Sequence, residues 1–155
     1  MATTGKLKAI PAENASRFDH DLEKATPYYY SVLLEDYHID VEYTATEHSS
    51  IYRFTFPESS NSNLMVNLLK DSEFKILNEK VIEGFQTYPK GALPDRKFYF
   101  HAEFSKPLGI YGGFGGNKIT SGEKVKSGSN IGFYTSFPTN EFNLSSLNIA
   151  SEYLE

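Results

Sequence analysis

Asp19, His20, Asp21 and Glu23 put four ionisable side chains into five residues, directly after Phe18. Two readings fit this segment. It is a capped turn leading into a strand, since Asp and its neighbours commonly hydrogen-bond their own backbone. Alternatively it presents polar groups at the rim of a sheet, with Phe18 buried behind them. The other residues able to do chemistry are more scattered. His38, His48 and His101 complete the histidines, and none of the four falls at the spacing of a metal site. Asp40 and Glu42 share one face of a strand at roughly 7 Å, within the roughly 5–10 Å at which two carboxylates work across a sugar. An acidic solvent face accounts for them as well. The run Gly109 to Lys118 is rich in glycine, but it lacks Gly-Lys-Ser/Thr and does not follow Gly-x-Gly-x-x-Gly. No helix pattern follows it to hold an anion, so it reads as a hairpin or bulged edge. No Gly-x-Ser-x-Gly is present.

The elements that must position these residues are strands. Ile39, Val41, Tyr43 and Ala45 alternate with Asp40, Glu42, Thr44 and Thr46, a period of two that marks a half-buried strand. Residues 28–34 form a strand before it, joined through Asp36-Tyr37-His38 as a hairpin. Tyr52, Phe54 and Phe56 share a face in the next strand. Leu64 to Leu69 is apolar on both faces and reads as central. Strands follow over 73–77 and 81–88, with Gly84 marking a bulge, and Pro89 to Asp95 forms a loop. Phe98, Phe100, Ala102 and Phe104 alternate with Tyr99, His101 and Glu103, and Ile131 to Ser136 is a last strand. Leu144, Leu147, Ser151 and Leu154 then recur at helical spacing after Asn140 as N-cap. About nine short strands between regular turns predict an all-β, two-sheet antiparallel β-sandwich with a C-terminal helix.

Bulk properties agree. A chain of 155 residues suits one core. Aromatics make up 15%, with 12 Phe and 11 Tyr, which favours strands. The net charge of -5, without a Lys/Arg cluster, argues against nucleic acid as a partner. No apolar run approaches the roughly 20 residues of a membrane span. The lack of cysteine excludes disulfides and thiolate zinc sites. No apolar core of signal-peptide length follows Met1. The expectation is a cytosolic protein, or a piece whose export signal lies outside it.

One resemblance reaches function. Phe18-x-His20-x-x-Glu23-x-Ala25-x-Pro27-x-Tyr29-Tyr30-Ser31-Val32, then Asp36-Tyr37-x-Ile39-x-Val41-Glu42-x-Thr44-Ala45-Thr46, then Arg53-Phe54-x-Phe56-Pro57, resembles the amino-terminal domain of glycoside hydrolase family 92. Phe98-Tyr99-Phe100-x-Ala102-Glu103-Phe104-Ser105-Lys106-Pro107 is similar to a later segment of that domain. Ser136 to Glu155, with Asn148 and Glu152, sits where the family's linker helix begins. Three positions depart from the pattern: Asp19 for a serine, Tyr28 for a glycine and His48 for an arginine.

The resemblance implies a supersandwich-like domain packed on an (α/α)6 catalytic barrel in an exo-acting α-mannosidase. Calcium and the catalytic acid and base are implied to belong to the barrel, so this segment carries no catalytic residue, no metal ligand and no cofactor. The parent protein would be secreted, periplasmic or at the cell surface. The implied division is residues 1–16 as an N-terminal loop or edge segment, 17–138 as the sandwich, and 139–155 as the start of an interdomain linker helix. His20 and Glu23 are the candidate binding residues, at the rim of the sugar cleft. Mannose-containing glycans are the implied ligand. The alternatives are an independent carbohydrate-binding module, with Tyr28, Tyr52, Tyr99 and Tyr111 as its aromatics, or a protein-interaction sandwich.

Overall fold

The alternation from Ile39 onward is realised as a strand whose first residue, Ile39, is fully buried while Asp40 is exposed. The computed structural model describes residues 1–90, 93–139 and 146–154, with backbone alone for 89–90, 93–95 and 146–154. Among these are fourteen strands. They are β1 Ala2–Thr4, β2 Lys24–Thr26, β3 Tyr29–Leu34, β4 Ile39–Ala45, β5 Ser49–Thr55, β6 Ser62–Leu68 and β7 Lys70–Ile76, then β8 Val81–Lys90, β9 Leu93–Phe104, β10 Ile110–Gly115, β11 Lys118–Ser121, β12 Val125–Gly128, β13 Ile131–Phe137 and β14 Ser146–Leu154. Two 3-10 turns, Pro11–Asn14 and His20–Leu22, precede β2.

The strands form the expected pair of sheets. One has five strands in the order β1-β6-β13-β10-β11, the other nine in the order β12-β7-β8-β9-β14-β5-β4-β3-β2. Every neighbour pair is antiparallel. The core lies between the sheets. Phe133 of β13 meets Phe74 of β7 at 5.8 Å between ring centroids and Phe104 of β9 at 6.2 Å, both edge to face. All three rings are at most 2% exposed, and burying each contributes about 1.5–3 kcal/mol. Ile39, Phe54, Phe56, Leu64, Leu68 and Ile82 extend the same cluster. Met65, Phe114 and Tyr134 form a second cluster with Leu7 and Ile119 packed against it. Leu64 and Met65, neighbours in β6, are thus buried in different clusters, as expected for a central strand.

Several sequence expectations are corrected. Where the sequence predicts a C-terminal helix, residues 146–154 form a strand, β14. β14 pairs on one side with β5, from Ser146↔Thr55 to Glu152↔Ser49, and on the other with β9, from Ile149↔Phe104 to Leu154↔Tyr99. Two neighbours satisfy its backbone along most of its length, whereas a lone helix of this length is marginal. Asn140 and Leu144, the expected cap and first apolar position, lie outside the described residues. The loop expected over 89–95 is shorter, because β8 runs to Lys90 and β9 begins at Leu93. Gly84 is not a bulge. The register shifts lie at Lys70/Glu73 and Tyr88/Lys90. A Cβ at Gly84 would instead stand 2.3 Å from the Glu73 carbonyl and 2.6 Å from the Phe100 ring, so the glycine permits a close approach. The glycine-rich run is a hairpin, β10–β11, but β10 lies inside its sheet with only β11 at the edge. Gly132 on the neighbouring strand leaves room for the Phe114 ring, which would meet an added Cβ at 2.2 Å.

Truncating the ring that links the sheets tests this architecture. Phe133→Ala is expected to cost about 3–5 kcal/mol in urea unfolding, and Ile110→Ala, at a 68% exposed position, less than about 0.5 kcal/mol.

Candidate functional site

The polar segment reaches its position through a strap on the β3–β4 hairpin. The Arg17 amide donates to Asp36 Oδ2 at 2.8 Å and its Nε to Oδ1 at 2.9 Å. The Glu35 amide donates to the Arg17 carbonyl at 3.0 Å, and the Asp36 amide to Ser16 Oγ at 3.1 Å. The Arg17 guanidinium holds the Asp36 carboxyl below the usual carboxylate range, chiefly by hydrogen bonding. His38 closes the hairpin at a positive φ of 52°.

The turn itself is capped as the local reading expects. Asp19 Oδ1 accepts from the Asp21 amide at 2.9 Å, and the Glu23 amide donates to the His20 carbonyl at 3.2 Å. Glu23 then faces two partners. Its Oε2 stands 2.8 Å from His20 Nδ1, and its Oε1 accepts from the Tyr30 hydroxyl at 2.5 Å. The Tyr30 bond is the main cause, and the His20 bond the second, of a carboxyl held below its ordinary range. The same bond pushes the Tyr30 phenol up. The His20 side chain is 81% exposed and that of Glu23 only 23%. The carboxylate therefore holds the imidazole by Nδ1 and leaves Nε2 outside that contact.

The structure thus brings His20 and Glu23 together in a capped turn whose imidazole is exposed. Phe18 is not buried behind it. It is 45% exposed and meets the His20 ring edge to face at 5.0 Å. Tyr30 was not singled out in the sequence. Its pairing with Glu23 depends on the β2–β3 hairpin, whose register sets Ala25 opposite Tyr30 and Lys24 opposite Ser31. No fixed spacing signals it. The Asp40–Glu42 face is a solvent face as read: Glu42 accepts from the Tyr29 hydroxyl at 2.8 Å and from Arg53 at 3.3 Å. Of the four tyrosines considered for sugar binding, Tyr28 and Tyr99 are exposed. Tyr52 and Tyr111 pack against the core. Among the described residues no group of three or more His, Asp or Glu could hold a metal ion.

The depressed Glu23 carboxyl has a definite pH consequence. A group whose folded pKa lies below its unfolded value stabilises the fold above the unfolded value, and that contribution is lost as pH falls through the folded one. The brace on the His20 turn therefore loosens at acid pH. Carbon-detected NMR titration should place the Glu23 midpoint below the ordinary value of about 4.3, and Tyr30→Phe should move it upward. An unchanged midpoint in that variant contradicts the assigned cause.

Comparison with known proteins bears on the whole chain. The profile of the glycosyl hydrolase family 92 N-terminal domain matches residues 1–146. Among solved structures, the family GH92 α-mannosidase BT3965 from Bacteroides thetaiotaomicron is 28% identical, with a TM-score of 0.85 over 98% of this chain and 23% of its own. The family GH92 inverting mannosidase BT2199 from Bacteroides thetaiotaomicron VPI-5482 is 27% identical, with a TM-score of 0.87 over 99% of this chain and 21% of its own. The GH92 family glycosyl hydrolase ccman5 shares the fold at 19% identity, a TM-score of 0.77, and coverage of 98% of this chain and 22% of its own. Curated protein sequences give no match. The chain spans less than a quarter of each of these solved proteins. On the extent of the profile match, the chain belongs to the glycosyl hydrolase family 92 N-terminal domain family.

Proposed function

We propose that this chain acts as the non-catalytic N-terminal sandwich of an exo-acting α-mannosidase that hydrolyses terminal mannose. It packs on an (α/α)6 catalytic barrel and borders that barrel's sugar cleft. The kinship to α-mannosidases supports the substrate class. The share of those proteins that the chain spans supports a division of labour, in which acid, base and calcium reside in the remainder. We also propose an exported parent protein.

The observation that carries the cleft-rim role is the braced, outward His20. An exposed imidazole costs nothing to leave in water, yet here two residues are spent on orienting it: Glu23 binds the ring and Tyr30 binds Glu23. Orientation of this kind matters when a hydroxyl-rich ligand must be met at a set angle, because a pre-fixed side chain loses less freedom on binding. Asp19 caps the turn and Asp21 adds a second carboxylate in it, and an acidic rim suits a neutral polyol better than an anion.

The test belongs in the full-length enzyme. His20→Ala is expected to lower kcat/KM on a terminal α-mannoside roughly tenfold, about 1.4 kcal/mol, with thermal stability unchanged. Glu23→Gln should give a smaller loss in the same direction. Full activity in both variants would remove His20 from the cleft. The 155-residue chain alone is expected to show no turnover with calcium present, and turnover abolished by mutating one of its own residues would sink the non-catalytic assignment.

A further inference from the structure

A groove lies on the nine-stranded sheet far from the His20 turn. It has a volume of about 420 Å³ and sits on the outer face of β7, β8 and β9, with Tyr99, Phe85, Glu83, His101, Glu73 and Lys75 around it. The register explains the grouping. Phe85 stands opposite Tyr99, and Glu83 opposite both His101 and Lys75. Phe74, between Glu73 and Lys75, and Ile82, beside Glu83, are buried in the core, and Phe100, between Tyr99 and His101, packs against it, so these residues occupy the outward face. In the nine-stranded sheet five strand steps separate β8 from β3, a span of roughly 24 Å.

The chemistry of the groove is specific. Tyr99 is 44% exposed. Phe85 supports it at 5.8 Å, and the Lys97 ammonium lies 4.2 Å from the Phe85 centroid. Polar groups converge around the rings. Glu83 Oε1 is 3.0 Å from His101 Nδ1, and Ser127 Oγ donates to Glu73 Oε2 at 2.7 Å. Among the described side chains the two carboxylates of Glu73 and Glu83 are balanced by the ammonium groups of Lys75 and Lys97, which gives an ion little to favour. An apolar ligand would strip water from four charged groups and return nothing. A ligand with one C–H face and a ring of hydroxyls satisfies both halves. Rigid aromatics lose little freedom on contact, and the volume lies within the range of small-ligand sites.

We propose that this outer face is a second carbohydrate-contact surface, on which a neutral pyranoside lies with its C–H face on Tyr99 and its hydroxyls toward Glu83, His101 and Glu73. It is independent of the His20 turn and of the catalytic role of any barrel.

Two-dimensional NMR of the 155-residue chain, titrated with methyl α-mannopyranoside and with methyl β-glucopyranoside, tests it. Saturable shifts are expected at Tyr99, Phe85 and His101 with at least one sugar. They should vanish in Tyr99→Ala and in Tyr99→Leu, the latter keeping an apolar strand residue so that the sheet is preserved. They should persist in His20→Ala. Absence of saturable shifts overturns the proposal. So do shifts that survive both Tyr99 variants, and so do shifts that appear on concentrating the protein without sugar, which would assign the face to self-association. Shifts lost only in His20→Ala would place binding at the turn instead. Failure here leaves the kinetics of the full-length enzyme as a separate measure of the cleft-rim role.

Discussion

The contact of Phe133 with Phe74 and Phe104 is the constraint on which the rest depends. It is where the five-stranded sheet meets the nine-stranded one, and two stacked sheets hold together only by what their facing side chains bury, across about 10 Å. Phe74 and Phe104 come from strands on either side of β8, so one ring of the smaller sheet fastens both. The glycines serve the same end. Gly84 has no side chain where the Phe100 ring lies, and Gly132 none where the Phe114 ring lies. Large rings lie against absent side chains in both clusters, Phe100 beside the core between the sheets and Phe114 in the second cluster with Met65 and Tyr134, as dense packing requires.

The parts of this fold legible in the sequence were those with long, one-sided alternation. Ile39 to Ala45 and Phe98 to Phe104 reveal both element and face, because a period of two over seven residues has no competing explanation. The edge strands β1, β2, β11 and β12 have only three or four residues each and show no period. The sequence of β14 points to a helix because Leu144, Leu147, Ser151 and Leu154 satisfy a helical spacing, while Ile149 and Tyr153, good strand residues, sit between them. The choice was made by neighbours: β5 and β9 each offer a row of unpaired backbone groups, and one strand satisfies both. The site was half legible for a related reason. The capped turn is local chemistry, readable from Asp19 to Glu23. The Tyr30 brace is created by pairing across a hairpin, and Phe18 looked buried only because aromatic residues usually are.

The short edges have a further logic. Each sheet ends in its shortest strands, with long β8 and β9 inside. A short edge gives another chain little backbone to pair with. The His20 turn is appended to β2, one such edge, where the backbone has few ladder partners. Precision there has to come from side chains. This accounts for the density of hydrogen bonds between 16 and 36, with Arg17, Asp36, Tyr30 and Glu23 all engaged, around a turn that the core does not reach.

Such a turn would be a poor place for a binding group without the sheet beneath it. A nine-stranded sheet spans roughly 38 Å from edge to edge, and its strands hold spacing better than loops do. β14 gives this sheet its continuity. Without it, β12-β7-β8-β9 and β5-β4-β3-β2 would be two four-stranded pieces, each with a new exposed edge. With it, the aromatic groove on β8 and β9 and the braced imidazole beside β2 lie along one continuous sheet. The distance between them is then set by strand count and cannot be adjusted by loop motion. The strand least visible in the sequence is therefore the one that fixes the geometry between its two candidate contact regions.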